Sequence, residues 1–143
     1  MKPNEGRLQT GEHILARVVQ NRVPDAKVAI SRFDKEDEGS VDIISSTDLR
    51  QLQNLEPAVN AIIKAGFRVD AREFAREELT EFDLSRVPAE LNKIRIVEIV
   101  GFDKRPCKDP HVDNTAKVER FILKKIERAG KDRYKFTFTV TAG

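Results

Sequence analysis

The alternation of apolar periods along the chain predicts an α+β fold with a mainly antiparallel sheet. Three observations carry that expectation. Leu8, Ile14, Leu15, Val18 and Val19 recur at helical spacing near the start. A second helical stripe joins Leu49, Leu52, Leu55, Val59, Ile62 and Ile63. Near the end, Tyr134, Phe136, Phe138 and Val140 alternate strictly with Lys135, Thr137 and Thr139, which is the two-residue period of a half-buried strand. At 143 residues the expected organisation is one domain, residues 1–143, long enough to bury roughly two-thirds of its unfolded surface.

Taken in order, the first helix is expected from Leu8 to Arg22, ended by Pro24 and Asp25. Two strands follow, Lys27 to Phe33 and Ser40 to Ser45, joined through the acidic loop Asp34 to Gly39. Ser46, Thr47 and Asp48 offer an N-cap for a long helix reaching Gly66. Phe67 to Asp70 predicts a short strand, Ala71 to Glu81 a charged and partly helical stretch, and Phe82 to Asn92 a loop. Lys93 to Phe102 alternates as a strand, and Asp103 to Asn114, with two prolines, reads as a loop. Between Lys117 and Arg128, Val118, Phe121, Ile122 and Ile126 fit a helix, while Val118, Ile122 and Ile126 equally fit one face of a strand. Ala129 to Asp132 would then turn that strand into the last one.

Composition excludes several classes. Apolar residues at 39% and charged residues at 35%, with 26 basic against 24 acidic side chains, describe a globular chain rather than a disordered one. No apolar run approaches the ~20 residues of a membrane span. The segment from Met1 to Thr10 lacks the apolar core of a secretory signal. One cysteine rules out an internal disulfide framework and suits a reducing cytosol, so a cytoplasmic location is expected. Residues 1–92 carry 13 basic and 17 acidic side chains, whereas residues 93–143 carry 13 basic and 7 acidic. The basic final third has the charge to attract a polyanion such as RNA, or is an ordinary solvated face.

The soft ligand atoms of the whole chain are one cysteine and two histidines, and they fall in two places. Gln9 and His13 are four apart on the first predicted helix and share a face. Cys107 and His111 are spaced C-x-x-x-H, close enough in sequence to curl round one cation. Thiolate and imidazole together favour Zn²⁺. His13, Cys107 and His111 alone would leave one coordination position open, the form of a catalytic rather than a structural zinc site. The plainer alternative makes Cys107 a small buried hydrophobe and His13 a solvated residue opposite the apolar stripe.

The two segments resemble a known family. Leu8-Gln9-Thr10-Gly11-Glu12-His13-Ile14-Leu15 is similar to the H-T-x-x-H-(I/L)-L motif of the alanyl-tRNA editing domain, which occurs in alanyl-tRNA synthetase and as AlaX proteins, with a related form in threonyl-tRNA synthetase. Cys107-Lys108-Asp109-Pro110-His111, followed by Thr115, is similar to the family's second motif, C-x-x-x-H with a nearby threonine. The resemblance implies a zinc site in a cleft between helix and sheet, with His13, Cys107 and His111 as ligands and Gln9 standing where the family has its first histidine. It places Glu12, Asp109 and Thr115 near the reacting atoms and favours strands over residues 118–128. The implied reaction is hydrolysis of the ester joining a wrong amino acid, serine or glycine, to the 3′ end of alanine tRNA. Lys104, Arg105 and Lys108 flank the second motif and are candidate phosphate contacts for the acceptor end. A non-catalytic relative that binds tRNA or a synthetase is the alternative.

Overall fold

The computed structural model describes residues 4–143; residues 1–3, where the segment tested for a signal core begins, lie outside the described residues. Helix α1 (Glu5–Arg22) is followed by β1 (Lys27–Arg32), β2 (Glu38–Ile44), α2 (Leu55–Ala65), β3 (Val69–Ala75), β4 (Lys93–Ile99), β5 (Asp103–Pro106), β6 (Arg120–Gly130) and β7 (Arg133–Thr141). Strands form two antiparallel sheets, one in the order β1-β2-β7-β6 and the other β3-β4-β5. This is the α+β architecture that the periodicities predict.

Alternation on β2 and β7 turns Val41, Ile43, Tyr134, Phe136, Phe138 and Val140 to one side. Against that side α1 packs Leu8, Ile14, Leu15, Val18 and Val19, and α2 adds Leu55, Val59 and Ile63. Phe121 of β6 is fully buried and stacks on Phe138 with 5.2 Å between ring centres. Gly11 lets the helix backbone come close there: a Cβ at that position would lie 3.3 Å from the Phe121 ring. A separate small cluster, Leu79, Ile94 and Ile96 with Phe74, Phe82, Leu84 and Val87, closes the far side of the three-stranded sheet. No helix among the described residues is long and apolar enough to cross a membrane.

Three predicted elements differ from what forms. The long helix to Gly66 is broken into a 3₁₀ turn, Leu49–Gln51, and α2, with Asn54 between them in the left-handed region at φ 61°. Pro57 explains the break, because its ring would clash with the Gln53 carbonyl in an uninterrupted helix, whereas a proline in the first turn of α2 costs nothing. Asp48 still caps, but it caps the 3₁₀ turn, accepting the Arg50 N–H at 3.0 Å. The stretch expected to be partly helical after Asp70 continues as β3 to Ala75, with only Arg76–Glu78 in a 3₁₀ turn. Tertiary pairing decides it: Ala71 faces Val97 and Glu73 faces Arg95 across a full ladder.

The loop expected from Asp103 begins instead with β5, hairpinned to β4 through Gly101 at φ +84° and the Phe102 N–H to Ile99 carbonyl bond at 2.8 Å. The ambiguous stretch after Lys117 resolves as a 3₁₀ turn, Thr115–Val118, followed by β6, and not as a helix.

Strand β6 is the edge of its sheet, and α2 covers that edge. The Asn60 amide donates to the Phe121 carbonyl at 2.9 Å and accepts the Phe121 N–H at 2.9 Å. One helical turn earlier, Glu56 accepts the Leu123 N–H at 2.7 Å. Asn60→Ala is therefore expected to leave both polar groups of Phe121 unpaired and to lower stability by about 1–3 kcal/mol, read as the shift in a urea unfolding midpoint at constant slope.

Candidate metal centre and cleft

Helix α1 is buried on two sides. One face belongs to the core; the other, Gln9, Glu12, His13, Arg17 and Gln20, lines a cleft of about 1310 Å³ walled by β4, β5 and the segment before β4. His13 is consequently buried at 3% exposure, which rules out the plainer alternative of a solvated residue opposite the apolar stripe. Gln9 and Glu12 are each buried at 4%. The i, i+4 spacing that places Gln9 and His13 on one face also carries the row on to Arg17.

Beyond β5 the chain turns back across the start of α1 and brings the second motif to this row. Donor atoms of His13, Cys107 and His111 all lie within 4.8 Å of one another. His111 Nε2 is 3.4 Å from Cys107 Sγ, and the two imidazole rings meet edge-on with centres 4.4 Å apart. The set suits a soft divalent cation on two grounds. His13 Nδ1 is buried and has no hydrogen-bond partner among the described residues, so a ring nitrogen is desolvated without compensation. The donors are also two imidazoles and a thiol, the ligand chemistry of Zn²⁺.

The electrostatics agree. Burial pushes His13 well below its usual range, with His111 and two arginines adding to the effect. Burial takes His111 down to about 4, helped by Arg95, so both rings are neutral near pH 7. Burial raises the Cys107 thiol to about 11. Burial also raises Glu12 to about 7, opposed mainly by Arg105. In the absence of a cation the centre is thus neutral apart from Glu12, and metal binding displaces the thiol proton.

Two residues missed in the sequence hold the centre together. Thr10 Oγ1 lies 2.9 Å from His111 Nδ1 and accepts the Val112 N–H at 3.2 Å, tying α1 to the second motif. With His111 Nδ1 protonated and donating to Thr10, Nε2 presents its lone pair beside Cys107. Arg95 of β4 donates to the carbonyls of Cys107 at 3.1 Å and Asp109 at 2.7 Å, fixing the curl of the loop. The threonine at the second place of the first motif was a visible signal for Thr10; nothing in the strand pattern marks Arg95.

Other candidates are dispersed. Asp109 lines the cleft, with Oδ2 3.8 Å from Cys107 Sγ. Thr115 does not line it: its hydroxyl donates to the Ile62 carbonyl at 3.1 Å and accepts the Phe67 N–H at 2.9 Å, closing the end of α2. Lys104 and Lys108 are exposed at the rim, Lys104 facing Glu98 at 3.9 Å. Arg105 is not a rim charge like them. Its side chain is 17% exposed and grips the fully buried Asp103 carboxylate through two bonds of 2.8 Å each.

Residues 94–133, from β4 to the first residue of β7, match the family described as the threonyl and alanyl tRNA synthetase second additional domain. The alanyl-tRNA editing protein AlaX-M of Saccharolobus solfataricus is 27% identical over 139 residues, covering 94% of this chain and 58% of its own length. The threonine–tRNA ligase of Acetivibrio thermocellus is 29% identical over 130 residues, 84% of this chain but 20% of the ligase. The alanine–tRNA ligase of Thermoplasma acidophilum is 28% identical over 137 residues, 90% of this chain and 14% of the ligase. The chain therefore spans a fifth or less of these two ligases and just over half of AlaX-M. The AlaX-M and alanine–tRNA ligase matches take in both the helix carrying the first motif and the loop carrying the second, and the chain is similar to the alanyl-tRNA editing domain family.

Proposed function

We propose that the chain is a zinc-dependent deacylase that hydrolyses the ester between a wrong amino acid and the 3′ end of a tRNA, with serine or glycine on alanine tRNA as the substrate. The observation that carries this reading is the convergence of His13, Cys107 and His111 beside a cleft that His13 and Cys107 line, in a chain similar to editing domains. In this reading the whole chain acts as one editing unit and works in the cytoplasm, where charged tRNA is used.

His13, Cys107 and His111 would hold Zn²⁺, with the Gln9 amide oxygen as a weak neighbour in place of a fourth strong ligand. When bound, the ion supplies Lewis acidity that makes water more acidic and polarises an ester carbonyl. The chain's own groups do the rest. Glu12, whose Oε1 accepts from Ser31 Oγ at 3.4 Å, faces the cleft and takes the proton of the attacking water at its carboxylate. The water oxygen bonds to the acyl carbon, the bond to the ribose oxygen breaks, and that oxygen leaves with the proton that Glu12 took. Arg95 and Thr10 hold the loop and the His111 ring in register. Asp109 orients the Cys107 side, and Thr115 acts at one remove by fixing the loop end to α2. Lys104 and Lys108 at the rim meet the acceptor-stem backbone. Gln9 favours a second reading, a relative that retains the fold and binds tRNA or a synthetase without turnover.

Protein purified without chelator and loaded with Zn²⁺ is expected to release serine or glycine from mischarged alanine tRNA, and Cys107→Ala to lose both the metal and the release. Salt-sensitive tRNA binding with no hydrolysis of any mischarged alanine or threonine tRNA would replace the deacylase by the binding module. Independently, Thr10→Val is expected to weaken Zn²⁺ binding by about 10–100-fold in a competition titration with a chromophoric chelator, because the His111 ring loses its orienting partner.

A further inference from the structure

The cleft holds a second polar centre that the metal chemistry leaves unused. Asp103, at the start of β5, has a side chain with no exposure, and two arginines converge on it. Arg105 binds it through Nε and Nη2 at 2.8 Å each and passes a further Nη2 bond to Gln20 Oε1 at 3.0 Å. Arg17 binds Asp103 Oδ1 through Nε at 2.8 Å. One carboxylate is thus shared by two guanidinium groups, leaving a net positive charge in a half-buried setting. Neither Nη1 of Arg105 nor either Nη of Arg17 has a hydrogen-bond partner among the described residues, and both arginines line the cleft. Six N–H groups therefore remain for a ligand.

We propose that Arg17 and Arg105, braced by Asp103, form the seat for a phosphodiester, the one 5′ to the terminal adenosine of the aminoacyl-tRNA. This deepens the deacylase reading and rests on it. Spacing supports it from both walls. Arg17 is four residues beyond His13 on α1, about 6 Å along the axis. Arg105 is two residues before Cys107 along extended chain, about 6–7 Å. Along the backbone the two offsets are alike, about the span of one nucleoside from its ester oxygen to its 5′ phosphate. The amino acid offers no competing anion, since its carboxyl is consumed in the ester. Planar, multi-donor arginines fixed by a buried carboxylate are suited to phosphate, whereas the exposed Lys104 and Lys108 offer only mobile point charge.

The test compares cytidylyl-(3′→5′)-adenosine, which has one phosphodiester, with adenosine, which has none, as ligands of the zinc-supplemented protein in calorimetric titrations at several salt concentrations. Wild type is expected to bind the dinucleotide about tenfold more tightly than adenosine. Its log K is expected to fall with log salt with a slope of about −0.7. That increment should collapse towards onefold in Arg17→Ala and in Arg105→Lys, the second keeping the charge while losing the fork. Unchanged melting temperature in Arg17→Ala, a residue one-third exposed on the helix, separates the effect from unfolding. An increment that survives both substitutions overturns this inference alone. A wild type that binds neither ligand overturns it together with the deacylase reading.

Discussion

Everything in the cleft depends on α1 being pinned from two sides. Its apolar face is committed to the four-stranded sheet, so its polar face has no freedom to rotate towards water. Gln9, Glu12 and His13 of that row are therefore desolvated, Arg17 and Gln20 partly so, and polar groups held this way need a partner or a ligand to offset that cost. Arg17 and Gln20 find theirs in the network around Asp103; Glu12 is met by Ser31; His13 is left with a bare ring nitrogen. Core packing on one side of a helix thus produces the reactive character of the other.

The sheets complete the site by bringing distant sequence to that row. The hairpin between β4 and β5 lays Asp103, Arg105 and Cys107 along one wall, with Arg95 behind the loop. Thr10 then stitches the helix to the loop through His111 and the Val112 amide. Two unlike centres share one cleft, the first made of neutral donors and the second of fixed charge, and each is held by groups that are themselves buried.

Local pattern was sufficient where burial follows a single period. The first helix, the first two strands and the last strand formed where their spacing predicted, because one face of each meets the same core. It was insufficient where a partner strand decides, as with the charged β3 and the short β5, whose ladders with β4 outweigh their own composition. Pro57 was visible yet outvoted by the apolar stripe running through it. The ligand set was legible because cysteine and histidine are scarce and sit on motif spacing; the burial of His13 was not, since it comes from the second sheet. Arg105 read as a loop charge for the same reason: nothing in its neighbourhood announces that Asp103 faces inward.

The side chains of Glu56 and Asn60 occupy backbone groups of β6 that an edge strand would otherwise offer to another chain. Further along, the same strand presents Lys124, Lys125, Glu127 and Arg128, and the opposite edge, β1, carries Lys27 and Arg32. Charge and pre-emptive hydrogen bonding thus guard both ends of the sheet against edge-to-edge growth into aggregates. A helix whose apolar face serves the core also acts, through two polar side chains, as the terminator of a β-sheet.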